Sequence, residues 1–77
     1  MKPIVLKHPK IRRATICHEG PVEGSWRMII VIEVDMTLNP QDDDFDYDAL
    51  NTIREAAMAY VNAENRQVED FRIVQAV

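Results

Sequence analysis

Apolar and polar residues alternate through positions 26–37, WRMIIVIEVDMT. Every second position from Trp26 is apolar: Trp26, Met28, Ile30, Ile32, Val34 and Met36. That period predicts a strand with this face buried. The intervening positions, Arg27, Ile29, Val31, Glu33, Asp35 and Thr37, are polar at the ends and apolar in the middle. A strand wetted on one side alternates throughout, so Ile29 and Val31 predict apolar surface on the side away from the main core. Trp26 is expected in the core face, where its large ring would be sheltered.

The flanking segments arrange themselves around this strand. Residues 3–7, PIVLK, read as a short strand or arm. Pro3 and Pro9 each lack an N–H, which confines the segment to a sheet edge. Residues 10–18 read as a second strand with its face open: Ile11, Arg13, Thr15 and Cys17 on one side, Arg12, Ala14, Ile16 and His18 on the other. Residues 19–25, EGPVEGS, hold both glycines and Pro21 and predict a hairpin with a longish loop. After Thr37, Asn39-Pro40 marks the exit from the strand.

A helix is predicted from Tyr47 to about Asn65, because Leu50, Ile53, Ala57 and Val61 share one face. Met58 and Tyr60 flank that face, while Asp48, Asn51, Thr52, Glu55 and Asn62 face water. Asp46 is placed to cap the free N–H groups, and Phe45 with Leu50 has the spacing of a hydrophobic staple. Residues 68–77 close the chain as a strand, with Phe71, Ile73 and Val77 on one face and Arg72, Val74 and Ala76 on the other.

The pattern predicts one α+β domain over residues 1–77. Its order is β-β-α-β: a small, mostly antiparallel three- to four-stranded sheet with one helix on one face. The last strand is expected beside the first long strand through a right-handed crossover. Parallel pairing with residues 26–37 is the alternative. A chain this short buries only about 60% of its unfolded surface, so a partner chain is a natural supplement to the core. Cys17 is the only cysteine, which excludes an internal disulfide and fits a reducing, cytoplasmic setting. No apolar run reaches the length of a membrane span, and the start, MKPIVLKHPK, returns to charge and proline too soon for a secretory signal.

The net charge of −4 is unevenly spread. Residues 1–13 carry Lys2, Lys7, Lys10, Arg12 and Arg13 and no acid; the remainder carries all thirteen acids against four arginines. The basic start could meet phosphates. With no aromatic interleaved for base stacking and a pI near 5.0, direct nucleic-acid binding is disfavoured but stands as one alternative.

The acidic stretch 41–48, QDDDFDYD, offers more. Asp44, Asp46, Asp48, Thr52 and Glu55 fall at five ligand positions of an EF-hand loop, which makes a divalent-cation module a second alternative. Ala49 stands where that loop needs a sharp turn, however, and Asn51 where it has an apolar residue. Asp42, Asp43, Asp44 and Asp46 could also imitate a row of phosphates, with Glu33 and Asp35 nearby. The plainer reading is a solvated, favourably charged helix start.

Catalytic equipment is sparse. Cys17 and His18 are neighbours on a strand and so point to opposite faces. With Glu19 and His8 they lack zinc spacing, and Ser25 lies in a turn without a nucleophile-elbow pattern. Ala49, Ala56 and Ala63 recur along one helix flank and would admit close packing, though alanine is simply a good helix former. The chain therefore reads as a non-enzymatic protein-binding module without cofactor. It is expected to form a homodimer and to act as an acidic inhibitor or adaptor of phage or mobile-element type that blocks a larger complex, nucleic-acid-handling complexes included. The expected contact residues are Ile29, Val31, Val74 and Ala76 on the sheet, with Asp42, Asp43, Asp44 and Asp46 as the displayed acids.

Overall fold

The computed structural model describes residues 2–64, 68 and 70–76, without the side chains of Lys2, Pro3 and Val22. The elements are β1 (Lys2–Pro3), β2 (Ile11–Val22), β3 (Ser25–Val34), α1 (Tyr47–Glu64) and β4 (Asp70–Gln75). The predicted helix end at Asn65 and the core position of Val77 fall outside the described residues. The α+β class and the β-β-α-β order hold, with β1 a two-residue addition at one edge. No described helix is long and apolar enough to cross a membrane.

The strands run in the order β1-β2-β3-β4. β1 and β2, and β2 and β3, are antiparallel. β4 pairs in parallel with β3, from Ile29 opposite Asp70 to Val34 opposite Gln75. The last strand thus lies beside the organising strand and not beside β2, as the pattern had favoured. β2 already has both neighbours, β1 on one side and β3 on the other, so the free side of β3 is where a new strand can add.

The hairpin between β2 and β3 is tighter than its composition suggests. β2 continues through Gly20 and Pro21 to Val22, which pairs with Ser25. Only Glu23 and Gly24 turn, with φ of 52° and 83°, the positive pair that a two-residue hairpin turn of type I′ requires. Two residues, Gly20 and Pro21, oppose one on β3 between the Glu19–Arg27 and Val22–Ser25 pairs, which is a bulge. The glycine and proline that resemble a loop are therefore absorbed within the strand.

Register settles the open face of β2. Ala14 lies opposite Ile32 and Ile16 opposite Ile30, so these face the core with β3. Ile30, Ile32, Val34 and Met36 are buried as the period predicts. Trp26 is not: it is 62% exposed, because it sits beside the hairpin turn, at the opposite end of β3 from Val34 and the core.

On α1, Ala49, Leu50, Ile53 and Ala57 are buried, and Tyr60 and Val61 pack at the margin. Asp46 caps the helix through its Oδ1, which accepts the Ala49 N–H at 3.0 Å. The arm residues Ile4 and Leu6, and the loop residues Leu38 and Phe45, all pack against this same core.

Candidate functional site

Alternation puts Thr15 and Cys17 of β2, Ile29 and Val31 of β3, and Val74 of β4 on the face opposite the helix. Ion pairs lie at both ends of this apolar centre. Arg13 Nε bonds Glu33 Oε2 at one end, and Arg72 Nη2 bonds Glu19 Oε2 at the other. The Glu33 carboxylate holds the Arg13 guanidinium above its ordinary pKa through that hydrogen bond and its charge.

The second pair spans the sheet. Glu19 lies opposite Arg27 and Arg72 opposite Val31. A bond between them therefore runs diagonally across β3 over Ile29, the residue between Arg27 and Val31 on that face. This explains why Ile29 is only 2% exposed although no helix covers it. The expectation that Ile29 offers contact surface is corrected: the residue is buried within the chain itself. Val31 and Val74 are half-buried and keep part of their surface available. Arg27 Nε is buried without a hydrogen-bond partner among the described residues.

β4 ends the sheet and has no strand on its outer side among the described residues. The Ala76 N–H donates to the Val34 carbonyl at 2.8 Å. In a parallel pair, alternate residues point their backbone groups to the neighbour. That bond fixes the phase: Arg72 and Val74 point inward with Ala76, and Phe71, Ile73 and Gln75 point outward. Phe71 N–H bonds its neighbour's Asp70 Oδ1 at 2.8 Å, a side chain supplying what a strand would.

Two shallow hollows follow this free edge between β4 and α1. Arg54 and Ile73 border both. Met58, Asp70 and Phe71 complete one, and Phe45, Tyr47 and Leu50 lie in the other. Met58 is 51% and Tyr47 62% exposed. The sequence pattern does not reveal this groove, because Met58 counts there only as a flank of the helix face and the last strand is expected beside the first long strand instead of at the free side of β3.

The acidic loop is ordered by its own side chains. Asn39 Oδ1 accepts the Gln41 N–H, and Asp42 Oδ1 accepts the Asp44 N–H, each at 3.1 Å. These are Asx turns, for which Asn and Asp are suited. Asp42 and Asp44 border a third hollow with Asp35, Lys10 and Ala76, so one predicted sheet contact lies beside the acids. Asp43 is exposed. Asp46 differs from the others: it caps α1 and pairs with Lys10 Nζ at 3.5 Å. The Ala49 N–H, and then Lys10, hold its carboxyl below the usual carboxylate pKa.

α1 starts at Tyr47 and so carries Asp48 and Thr52 as helix residues, with Thr52 Oγ1 donating to the Asp48 carbonyl. No group of acids, histidines and cysteine among the described residues is arranged to hold a metal ion. The basic start is engaged too. Arg12 pairs with Asp35 at 3.9 Å, alongside the Lys10–Asp46 and Arg13–Glu33 pairs. Three of its five cations thus lie against acids from the rest of the chain. Cys17 is half-buried on the open face, and His18, its neighbour, is exposed on the other.

No protein-family model, curated protein or solved structure matches this chain.

Proposed function

We propose that this protein is a non-enzymatic binding module of a reducing, cytoplasmic compartment, acting by contact with other protein. The observation that carries the reading is the surface around β4. An edge strand with outward backbone groups has apolar side chains on both flanks, the exposed Met58 and Tyr47 towards the helix and the half-buried Val31 and Val74 on the open face. Apolar surface rimmed by charge and set beside an unpaired strand suits strand addition and protein contact.

The second working surface is acidic. Asp35, Asp42 and Asp44 converge on one hollow with Asp43 beside them, and Asx turns hold the loop in shape. Such a surface suits a partner with a basic face, including one that otherwise engages phosphates. An inhibitor or adaptor that occupies such a face needs no cofactor. The test is affinity capture from native lysate with the intact chain, with and without nuclease, against a variant in which Asp42, Asp43 and Asp44 are all asparagine. A protein captured equally with and without nuclease, and lost with the variant, is expected. Capture that vanishes with nuclease would overturn the reading in favour of nucleic acid.

A further inference from the structure

We infer that the occupant of the β4 edge is the β4 edge of a second copy, paired antiparallel about a two-fold axis through Ile73. The inference rests on the protein-contact reading above and specifies its geometry. Given pairing of like edges, three considerations fix the register.

The first is parity. Directly opposed residues of an antiparallel pair share a face of the sheet. A two-fold self-pairing must therefore centre on a residue, never between two. The second is hydrogen bonding. The outward groups belong to Phe71, Ile73 and Gln75, and centring on Ile73 opposes Ile73 to itself and Phe71 to Gln75 of the partner. Every outward residue of the strand then lies opposite another outward residue, the Phe71 N–H alone being held already by Asp70 Oδ1, and all of Asp70–Gln75 is used. Centring on Phe71 would oppose only Asp70–Arg72 to residues of the partner's β4, and centring on Val74 only Ile73–Gln75.

The third feature is charge. Centring on Arg72 would put two arginines face to face, which is unfavourable. With Ile73 at the axis, Arg72 lies opposite the partner's Val74, and Asp70 opposite the partner's Ala76. The same operation brings the two α1–β4 grooves together, so that Phe71, Ile73 and Met58 of each copy border one continuous apolar seam. Arg54 also approaches the axis from each copy, and Asp70 borders its hollow as a carboxylate towards which it can turn. The isologous contact closes on itself, leaving the β1 of each copy as the sheet edges among the described residues.

The register makes a signed prediction at Val74, a half-buried open-face position beside Glu33. Val74→Lys sets a lysine opposite each Arg72 of the partner, and Val74→Glu sets a carboxylate there. Sedimentation equilibrium of the full chain from micromolar to millimolar concentration is expected to show a reversible dimer. Its Kd should rise about tenfold with Val74→Lys and fall with Val74→Glu. A third variant, Gln75→Pro, removes one outward N–H and should weaken the dimer while circular dichroism reports an unchanged fold.

Opposite signs at Val74 would place Asp70 across from it and overturn the register in favour of one centred on Arg72. Weakening by both Val74 variants with no effect of Gln75→Pro would assign the dimer to the open face. A monomer at every concentration would overturn self-pairing altogether, while leaving capture of another protein through the acidic loop to stand or fall by the lysate experiment.

Discussion

The two faces of the sheet bury neighbouring residues of one strand by different means. Towards α1, Ile30, Ile32 and Val34 lie under a layer of apolar side chains and are fully buried. On the open face Ile29 is almost as well hidden, but its shelter is Cys17 at its side and the Glu19–Arg72 pair above. The first arrangement excludes water across a whole layer. The second excludes it from one side chain and leaves Val31 and Val74 half open. Burial alone therefore does not tell which side of a small sheet carries the stability and which is available to a partner.

The contrast can be broken most strongly from the helix side. Ile53 is fully buried against the sheet, and Ile53→Ala should cost about 3–4 kcal/mol, a large share of a small domain's stability. Urea denaturation would show this as a lower midpoint with an unchanged slope. Ile29→Ala sharpens the comparison. It should cost about 2 kcal/mol, the low end for a buried isoleucine, because the gap opens to water instead of remaining an enclosed cavity. Equal losses at Ile53 and Ile29 would mean that the two faces are buried alike.

The helix start comes next in size. Asp46→Ala removes the cap and should lower Tm by about 5 °C, whereas Asp46→Asn should retain most of it. The folded-state pKa of Asp46 lies below its ordinary value. Its contribution is then fully present above the ordinary carboxylate range and is lost as pH falls through the depressed value, that is, below about pH 4. The Tm difference between the native protein and Asp46→Ala should vanish there.

The smallest effect belongs to the open face's ion pair. Glu19→Gln should cost no more than about 1 kcal/mol, as exposed pairs do, and less in high salt. Its more informative consequence is greater exposure of Ile29. A double-mutant cycle should show the cost of Ile29→Ala shrinking in the Glu19→Gln background.

Much of this fold is legible in the sequence, for identifiable reasons. β3 and α1 carry strong periods, and the cap at Asp46 follows a local rule that needs no tertiary information. The face of β2 is not legible, because Ala14 and Ile16 are no more apolar as a set than Ile11, Thr15 and Cys17; pairing with β3 decides it. Gly20, Pro21 and Gly24 mark a turn, but not that two of them form a bulge inside the strand. Trp26 misleads because side-chain character says nothing of distance from the core.

The candidate surface is only partly legible. The apolar pair Ile29 and Val31 rightly marks a second partly apolar face, yet period cannot foresee that an arginine fifty-three residues from Glu19 would close over Ile29. The clustering of Asp42 and Asp44 by Asp35 follows from a loop whose path only the fold fixes. The groove by Met58 depends on which strand lies at the edge. That is a matter of topology, and local pattern does not carry it.

The most direct test of the account is residue-resolved hydrogen exchange along β4, measured by NMR at low and high protein concentration. Arg72 and Val74, whose N–H groups face β3, should be protected at both. Ile73 and Gln75, whose N–H groups face outward, should exchange freely when dilute and gain protection together as concentration rises. Ile73 and Gln75 amides that stay unprotected at every concentration, with dimerisation occurring all the same, would contradict the edge pairing and move the contact to the open face.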